Sequence, residues 1–169
     1  MARRSNHYDA AFEAFLRGVA TPHVVVDEQR RALLEGASLK SMDFIVYSRG
    51  GRNLLVDVKG RRFPSGGPDG KTRWENWATE DDLVSLLEWE QVFGPDFRAM
   101  LVFAYHVVDD RCLEEFPEPF EFRRRTYAFY GVWADDYRNE MRSRSASWET
   151  VTVPSGTWRR LRTPIDQFL

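Results

Sequence analysis

The stretch that decides the fold is Ser41–Lys59, which reads SMDFIVYSRGGRNLLVDVK. Two runs within it, Met42–Tyr47 and Asn53–Lys59, are rich in the β-branched, aromatic and aliphatic residues that favour strands. Between them lies Ser48–Arg52, whose glycine pair suits a tight turn between antiparallel strands. The pattern therefore predicts a β-hairpin of two antiparallel strands.

Three ionisable side chains lie at the open end of this predicted hairpin. Because side chains alternate along a strand, Asp57 and Lys59 share one face of the second strand. Asp43 begins the first strand, and pairing about the glycines sets it opposite roughly Val58. A one-residue bulge would bring it opposite Asp57 or Lys59 instead. We therefore expect two carboxylates and an ammonium group to converge.

Such a cluster has a chemical use and also a plainer explanation. Two carboxylates can bind Mg²⁺ through oxygen, and the ion then activates water and neutralises charge on a phosphoryl group. A neighbouring lysine can orient or deprotonate that water, or act as a fixed cation. Alternatively, Asp43 caps the start of a strand, while Asp57 and Lys59 form an exposed ion pair worth under about 1 kcal/mol. Both interpretations are open at this point.

The order of elements around the hairpin indicates the fold class. The elements predicted besides the hairpin are, in chain order, a helix capped by Ser5 or Asn6 and ended by Thr21-Pro22, a strand at His23–Val26, a polar segment with a helical turn around Arg30–Leu34, a loop from Gly60 to Lys71, a helix from the Thr79–Asp82 capping box to Gly94-Pro95, a strand at Arg98–Val108, a charged connection at Arg111–Arg125, a strand at Tyr127–Trp133, a short helix at Asp135–Met141, a strand at Trp148–Val153 and a closing turn at Pro164–Leu169. This order predicts an α/β fold with a mixed central β-sheet flanked by helices.

Length and composition predict a single domain, with a core at about residues 6–108 and a C-terminal extension at about 109–169. With 169 residues, 43% of them hydrophobic and 14% aromatic, the chain can bury a core without disulfide bonds. The longest nearly apolar run, Met100–Val108, is too short to cross a bilayer, and no apolar signal segment follows the basic N-terminus. Cys112 is the only cysteine, which fits a reducing compartment. We therefore expect a cytoplasmic protein with no membrane contact.

Positive charge is concentrated near the hairpin, although the net charge of the chain is −2. Between Arg49 and Arg73, seven basic residues stand against two acidic ones, a local charge of +5. Such a stretch can attract nucleic acid, whereas on charge alone a solvated glycine-rich loop is the favoured explanation. The expected phosphate contacts are Arg49, Arg52, Arg61, Arg62, Lys71 and Arg73.

The residues of the hairpin resemble the motif of the PD-(D/E)XK nuclease superfamily, whose members have a restriction-endonuclease-like fold. The spacing from Asp43 to Asp57-Val58-Lys59 is most similar to that of the small archaeal-type Holliday-junction resolvases. The resemblance covers about Tyr8 to Tyr105 and implies an α-β-β-β-α-β core. It also implies an endonuclease that cleaves DNA with Mg²⁺, or with Mn²⁺ as a substitute, and that can form a homodimer.

The resemblance assigns roles to four residues of the hairpin. Asp43 and Asp57 would be metal ligands, helped by the backbone carbonyl of Val58, and Lys59 would assist the attacking water. Met42 stands where the motif has the proline that names it, a departure that many members share.

Two helical residues are further candidates for this site. Glu13, on the first predicted helix, would complete the metal or water network, but an ordinary ion pair with Arg17 explains it equally well. Gln91 resembles a glutamine that some nucleases of the superfamily carry after the motif, although Pro95 stands where an aromatic residue is expected.

Histidines and tryptophans carry weaker signals. His7, His23 and His106 show no zinc-ligand spacing. We expect most of the six tryptophans to lie in the core, with Trp74 or Trp77 as candidates for stacking on an unpaired base.

Three functions are compatible with these observations. The first is a Mg²⁺-dependent nuclease acting on DNA. The second is a catalytically inactive nuclease-like module that binds nucleic acid or a protein partner. The third is a metal-dependent hydrolase of small phosphate esters.

Overall fold

The computed structural model describes residues 6–27, 32–34, 37–66 and 74–169. Its α-helices are α1 (His7–Gly18), α2 (Glu80–Phe93), α3 (Ala134–Glu140) and α4 (Ser155–Leu161), and 3₁₀ turns cover Asp110–Glu115 and Ile165–Phe168. Its strands are β1 (His23–Val25), β2 (Ala32–Leu34), β3 (Ala37–Leu39), β4 (Phe44–Val46), β5 (Asn53–Phe63), β6 (Ala78–Thr79), β7 (Phe97–Val107), β8 (Phe120–Phe122), β9 (Arg125–Trp133), β10 (Arg142–Ser145), β11 (Thr150–Thr152) and β12 (Thr163–Pro164).

Within these described residues, a central sheet runs in the order β1-β4-β5-β7-β9-β12, with β8 also paired to β9. The sheet is mixed: β4 and β5 are antiparallel, β5 and β7 are parallel, and β7 and β9 are antiparallel. A parallel pair needs a crossover connection, and α2 supplies it between β5 and β7. The predicted hairpin, the mixed sheet and the α/β class are thus confirmed.

Each face of the sheet carries a helix that begins with a side-chain cap. Asn6 accepts the N–H of Tyr8 at the start of α1, which lays Phe12 and Leu16 on one face of the sheet. Thr79 and Asp82 form the predicted capping box of α2, which covers the other face with Leu83 and Leu86. Both helices are therefore positioned by residues that the sequence pattern identified.

Successive side chains of β5 point to opposite faces of the sheet, so Asp57 and Lys59 lie on the face opposite to the core beneath α1. Leu54, Val56 and Val58 belong to the core beneath α1, whereas Leu55 and Phe63 belong to the core beneath α2. Odd-numbered side chains of β5, which include those of Asp57 and Lys59, therefore point toward the α2 face.

Strand β5 is longer than predicted, because it continues through Phe63. The predicted loop at Gly60–Lys71 is therefore wrong for its first four residues. Gly60 is needed in the strand, since a Cβ atom there would overlap the ring of Tyr8. The part of this predicted loop at residues 67–71 lies outside the described residues.

Other departures concern short elements. A strand, β2, occupies residues 32–34 where a helical turn was predicted, and the charged connection contains a 3₁₀ turn and β8. In the C-terminal part, β10 and α4 were not predicted, and β10 pairs with β11, which pairs with β6. None of the described helices is long and apolar enough to span a membrane.

Candidate active site

The carboxylate of Asp43 lies at the edge of β5. Asp43 occupies a bend just before β4, where its N–H donates to the carbonyl of Val56 at 2.9 Å and its Oδ2 accepts the N–H of Val58 at 2.6 Å. Only 6% of the residue is exposed. Because the N–H and C=O of one strand residue point to the same edge, the Val58 carbonyl faces the same edge as Asp43.

Asp57 is the second carboxyl group of the site, on a side chain that is 15% exposed. Burial raises the pKa of Asp43, and the negative charges of Asp57 and Asp9 raise it further. Burial likewise raises the pKa of Asp57, against the lowering influence of Lys59. Two carboxylates held together in this way attract a proton or another cation.

Lys59 lies between two carboxylates on the α2 face. Its Nζ is 3.0 Å from Oδ1 of Asp57 and 2.9 Å from Oδ2 of Asp82. Burial alone would lower the pKa of Lys59, but the two carboxylates outweigh it and raise that pKa above its ordinary value. Lys59 is therefore an ammonium ion at neutral pH.

Asp82 is a functional candidate that the sequence analysis missed. Its Oδ2 accepts the N–H of Thr79 at 3.0 Å as part of the capping box, and its Oδ1 accepts from Nζ of Lys40 at 2.8 Å. Burial opposes ionisation here, but Lys59 and Lys40 lower the pKa of Asp82 well below its usual range. The capping box was visible in the sequence. The salt bridge between this carboxylate and Lys59 depends on how α2 packs on β5. The capping-box pattern in the sequence does not reveal that packing.

Asp9, rather than Glu13, is the α1 residue that approaches the carboxyl pair. Asp9 is only 2% exposed, and its charge raises the pKa of Asp43. Glu13 instead pairs with Arg17 at 2.7 Å, which is the alternative left open by the sequence. A signal for Asp9 was available, since it shares the apolar stripe of α1 with Phe12 and Leu16 at i, i+3 and i+7.

The donor set at this edge suits a hard cation. Asp43, Asp57 and the Val58 carbonyl offer oxygen atoms, the ligand type that Mg²⁺ prefers. Among the described residues, no group of three or more His, Cys, Asp or Glu side chains is gathered tightly enough to hold an ion. A dication here would thus depend on the two carboxylates, a backbone oxygen and water or substrate for its remaining ligands.

Three of the predicted site residues lie apart from this cluster. Gln91 is exposed and lies nine residues along α2 from Asp82, about 13 Å at 1.5 Å per residue. Arg49 and Arg52 are exposed at the hairpin turn, the opposite end of β5 from Lys59. Arg49 donates there to the carbonyl of Ala20 at 2.9 Å.

The arginines after Lys59 differ from each other. Arg61 is 8% exposed, donates to the carbonyls of Gly60 and Trp77, and lies 3.8 Å from the centre of the Trp77 ring. Arg61 therefore supports Trp77, and its expected phosphate contact stays a prediction. Arg62 is exposed on the α1 face. Lys71 and Arg73 lie outside the described residues.

An open cleft of about 430 Å³ adjoins the cluster where β5 continues beyond Lys59. The residues that line it are Tyr8, Gly60, Arg61, Arg62, Ser65, Gly66, Glu75 and Trp77. It places a charged, solvent-accessible surface along β5 beyond Lys59.

The fold is similar to that of a solved nuclease. Superposition on Hjc, a Holliday junction resolvase from the archaeal hyperthermophile Archaeoglobus fulgidus, gives a TM-score of 0.54 and covers 95% of this chain and 96% of that chain. The sequence identity is 11%, so the likeness establishes the fold alone. No protein-family profile matches the chain, and no curated protein sequence matches it.

Proposed function

We propose that this protein is a divalent-metal-dependent nuclease that hydrolyses phosphodiester bonds in DNA, with Mg²⁺ as the ion and Mn²⁺ as a substitute. One observation carries the proposal: Oδ2 of Asp43 accepts the N–H of Val58, the residue after Asp57, and the Lys59 ammonium lies 3.0 Å from Oδ1 of Asp57. The likeness to the fold of a resolvase is consistent with this chemistry.

Asp43, Asp57 and the Val58 carbonyl would hold the ion. When bound, a divalent ion lowers the pKa of its water and neutralises charge on the phosphoryl oxygens. The two carboxyl groups must be ionised to bind it, and their raised pKa values mean that metal and protons compete for the same oxygens.

Lys59 serves in this proposal as a fixed cation. Because its pKa is raised, it does not give up its proton readily and is a poor general base near neutral pH. Its ammonium can instead orient the attacking water or stabilise negative charge on the phosphoryl group. Asp82 acts as a positioning residue, since it bonds to Lys59 from the opposite side to Asp57.

The DNA backbone would approach along the cleft beyond Lys59. Arg62 is the exposed arginine of the cleft, and in this proposal its guanidinium contacts a backbone phosphate. Trp77, supported by Arg61, forms part of the wall. Binding of this kind weakens as salt concentration rises.

Substitution of Asp57 by Asn tests the proposal. We expect Asp57→Asn to lower the cleavage rate of duplex, branched or single-stranded DNA by at least about a hundredfold in Mg²⁺ or Mn²⁺, because one metal ligand loses its charge. Glu88→Gln, which alters an exposed carboxylate of α2, is the matched control and should cleave like the wild type. Equal cleavage by the Asp57 variant and the wild type would overturn the assignment.

A second function is favoured by the small number of ligands at the site. Because no described group of three ligating side chains is present, the chain could be a nuclease-like module that binds nucleic acid or a protein without cutting. Titration calorimetry with Mn²⁺ separates the two functions: a binding heat that Asp57→Asn abolishes supports the enzyme, and no heat supports the module.

A further inference from the structure

Trp148 is unusually exposed for a residue of its size. It lies in the turn between β10 and β11, and 78% of it is accessible to solvent, whereas Val92, the next most exposed large apolar residue among those described, is 50% accessible. Trp148 is an exception to the expectation for most tryptophans, since Trp158 lies in the core and Trp74, Trp89 and Trp133 pack against it. An exposed indole ring offers a flat face on which another ring can stack.

The hairpin that bears Trp148 is attached to the candidate active site. Thr150 pairs with Thr79, and the carbonyl of Glu149 accepts the N–H of Glu80 at 3.0 Å. Thr79 is the N-cap of α2, and its capping-box partner Asp82 bonds to Lys59. The hairpin that bears Trp148 is therefore bonded to the start of α2, and the same helix start contributes Asp82 to the charged cluster.

The stretch of sequence around Trp148 is rich in arginine. From Met141 to Arg162 the chain has five arginines and one acidic residue, a net charge of +4. On β10, the register shifts between Ser143 and Ser145, which leaves Arg144 without a cross-strand partner. The Arg144 guanidinium lies 5.1 Å from the centre of the Trp77 ring in the cleft wall.

We propose that the β10–β11 hairpin binds an unpaired nucleotide next to the cleaved phosphate, with Trp148 stacked on the base. Arg142 and Arg144, both exposed on β10, would contact the flanking phosphates. An aromatic platform beside basic side chains is the arrangement by which proteins hold single-stranded nucleic acid without reading its sequence. This inference rests on the proposed nuclease function and adds a substrate class to it: DNA with unpaired nucleotides at the cleavage site.

Binding measured in EDTA tests the inference separately from cleavage. The probes are a fluorescent DNA duplex and the same duplex with a single-stranded flap whose first unpaired base is 2-aminopurine. We expect the wild type to bind the flapped DNA about tenfold more tightly than the plain duplex and to change the 2-aminopurine emission. Trp148→Ala should lose both effects, Trp148→Phe should keep most of them, and Val92→Ala should behave as wild type.

The outcomes distinguish this inference from the proposed function. If Trp148→Ala and the wild type bind both DNAs alike, the stacking role is overturned while the nuclease proposal stands. If the wild type binds neither DNA in EDTA, the stacking role fails, and cleavage in Mg²⁺ decides the nuclease proposal separately. Flap binding that depends on Trp148, in a protein that cleaves nothing, supports the stacking role alone. If the wild type is a dimer by size-exclusion chromatography and Trp148→Ala a monomer, the surface serves self-association and the inference is overturned.

Discussion

The backbone N–H of Val58 donates a 2.6 Å hydrogen bond to Oδ2 of Asp43. This bond holds the Asp43 carboxyl group against the edge of β5. There the negative charges of Asp57 and Asp9 raise its pKa. The bond lowers the pKa of Asp43, but burial and the neighbouring charges outweigh it. The fold thus holds an ionisable group in a place that penalises its charge.

The first prediction is that Asp43→Asn stabilises the protein in EDTA at neutral pH. Because the pKa of Asp43 is higher in the folded than in the unfolded state, the folded state binds more protons. Stability is then full below the unfolded value near 4 and falls as pH rises through the folded value. Asn keeps an acceptor for Val58 and carries no charge. Urea unfolding at pH 4 and pH 7.5 measures the effect.

For this variant, wild type and Asp43→Asn should have similar free energies of unfolding at pH 4 and diverge at pH 7.5. Added Mg²⁺ should stabilise the wild type more than the variant. A variant less stable than the wild type at pH 7.5 in EDTA would contradict the expected cost of the carboxylate.

The second prediction concerns Asp82, which is 7% exposed at its side chain and bonded to Lys59 and Lys40. Asp82→Asn should lower the free energy of unfolding by about 2 kcal/mol, because two ammonium groups lose a buried counter-charge. Asp81→Asn is the matched control, since Asp81 is 44% exposed and 3.7 Å from Lys40. We expect the control to change stability by less than about 0.5 kcal/mol. If both variants lose a similar free energy of unfolding, the burial of Asp82 does not strengthen its ion pairs.

The third prediction links Gly60 to Tyr8. Gly60→Ala should cost about 1–3 kcal/mol, because the added Cβ atom meets the Tyr8 ring and displaces the start of α1. Tyr8→Ala should relieve part of this cost, so a double-mutant cycle should give a favourable interaction term. Gly156→Ala, where nothing lies within 4 Å of a new Cβ atom, should be nearly neutral. Additive costs in the cycle would contradict the contact.

The fourth prediction separates two neighbouring arginines. Arg61→Gln should lower the free energy of unfolding by about 1–3 kcal/mol, since the buried guanidinium donates to two carbonyls. Arg62→Gln should change the free energy of unfolding by less than about 0.5 kcal/mol. It should also lower the number of ions released when DNA binds by about one. Urea unfolding and fluorescence anisotropy across a salt series measure both. The reverse pattern would reassign the two residues.

Much of the fold and part of the site could be predicted from local pattern. The hairpin, the capped helices and the apolar strand β7 each carry a signal within a dozen residues, and all of them are confirmed. Asp43, Asp57 and Lys59 could be brought together because alternation and pairing about a turn are local geometry. Their proposed roles in catalysis stay predictions.

The remaining parts depend on packing between distant elements. Glu13 and Asp9 lie on the same helix; the apolar stripe indicates that Asp9 is buried, but its effect on the pKa of Asp43 depends on how α1 docks on the sheet. Asp82 meets Lys59 because α2 crosses β5. Glycine and proline after Lys59 indicated a loop, but pairing along β7 extends β5 through Phe63.

Strand β5 pairs with its two neighbours over very different lengths, and this difference determines when the charged cluster can assemble. β4 pairs with β5 over three residues, whereas β7 pairs with it over all eleven, and β7 is made after α2. A nascent or refolding chain therefore cannot fix Asp57 and Lys59 until the polypeptide through Val107 has joined the sheet. The amide hydrogen of Val58 should accordingly exchange with solvent only through global opening.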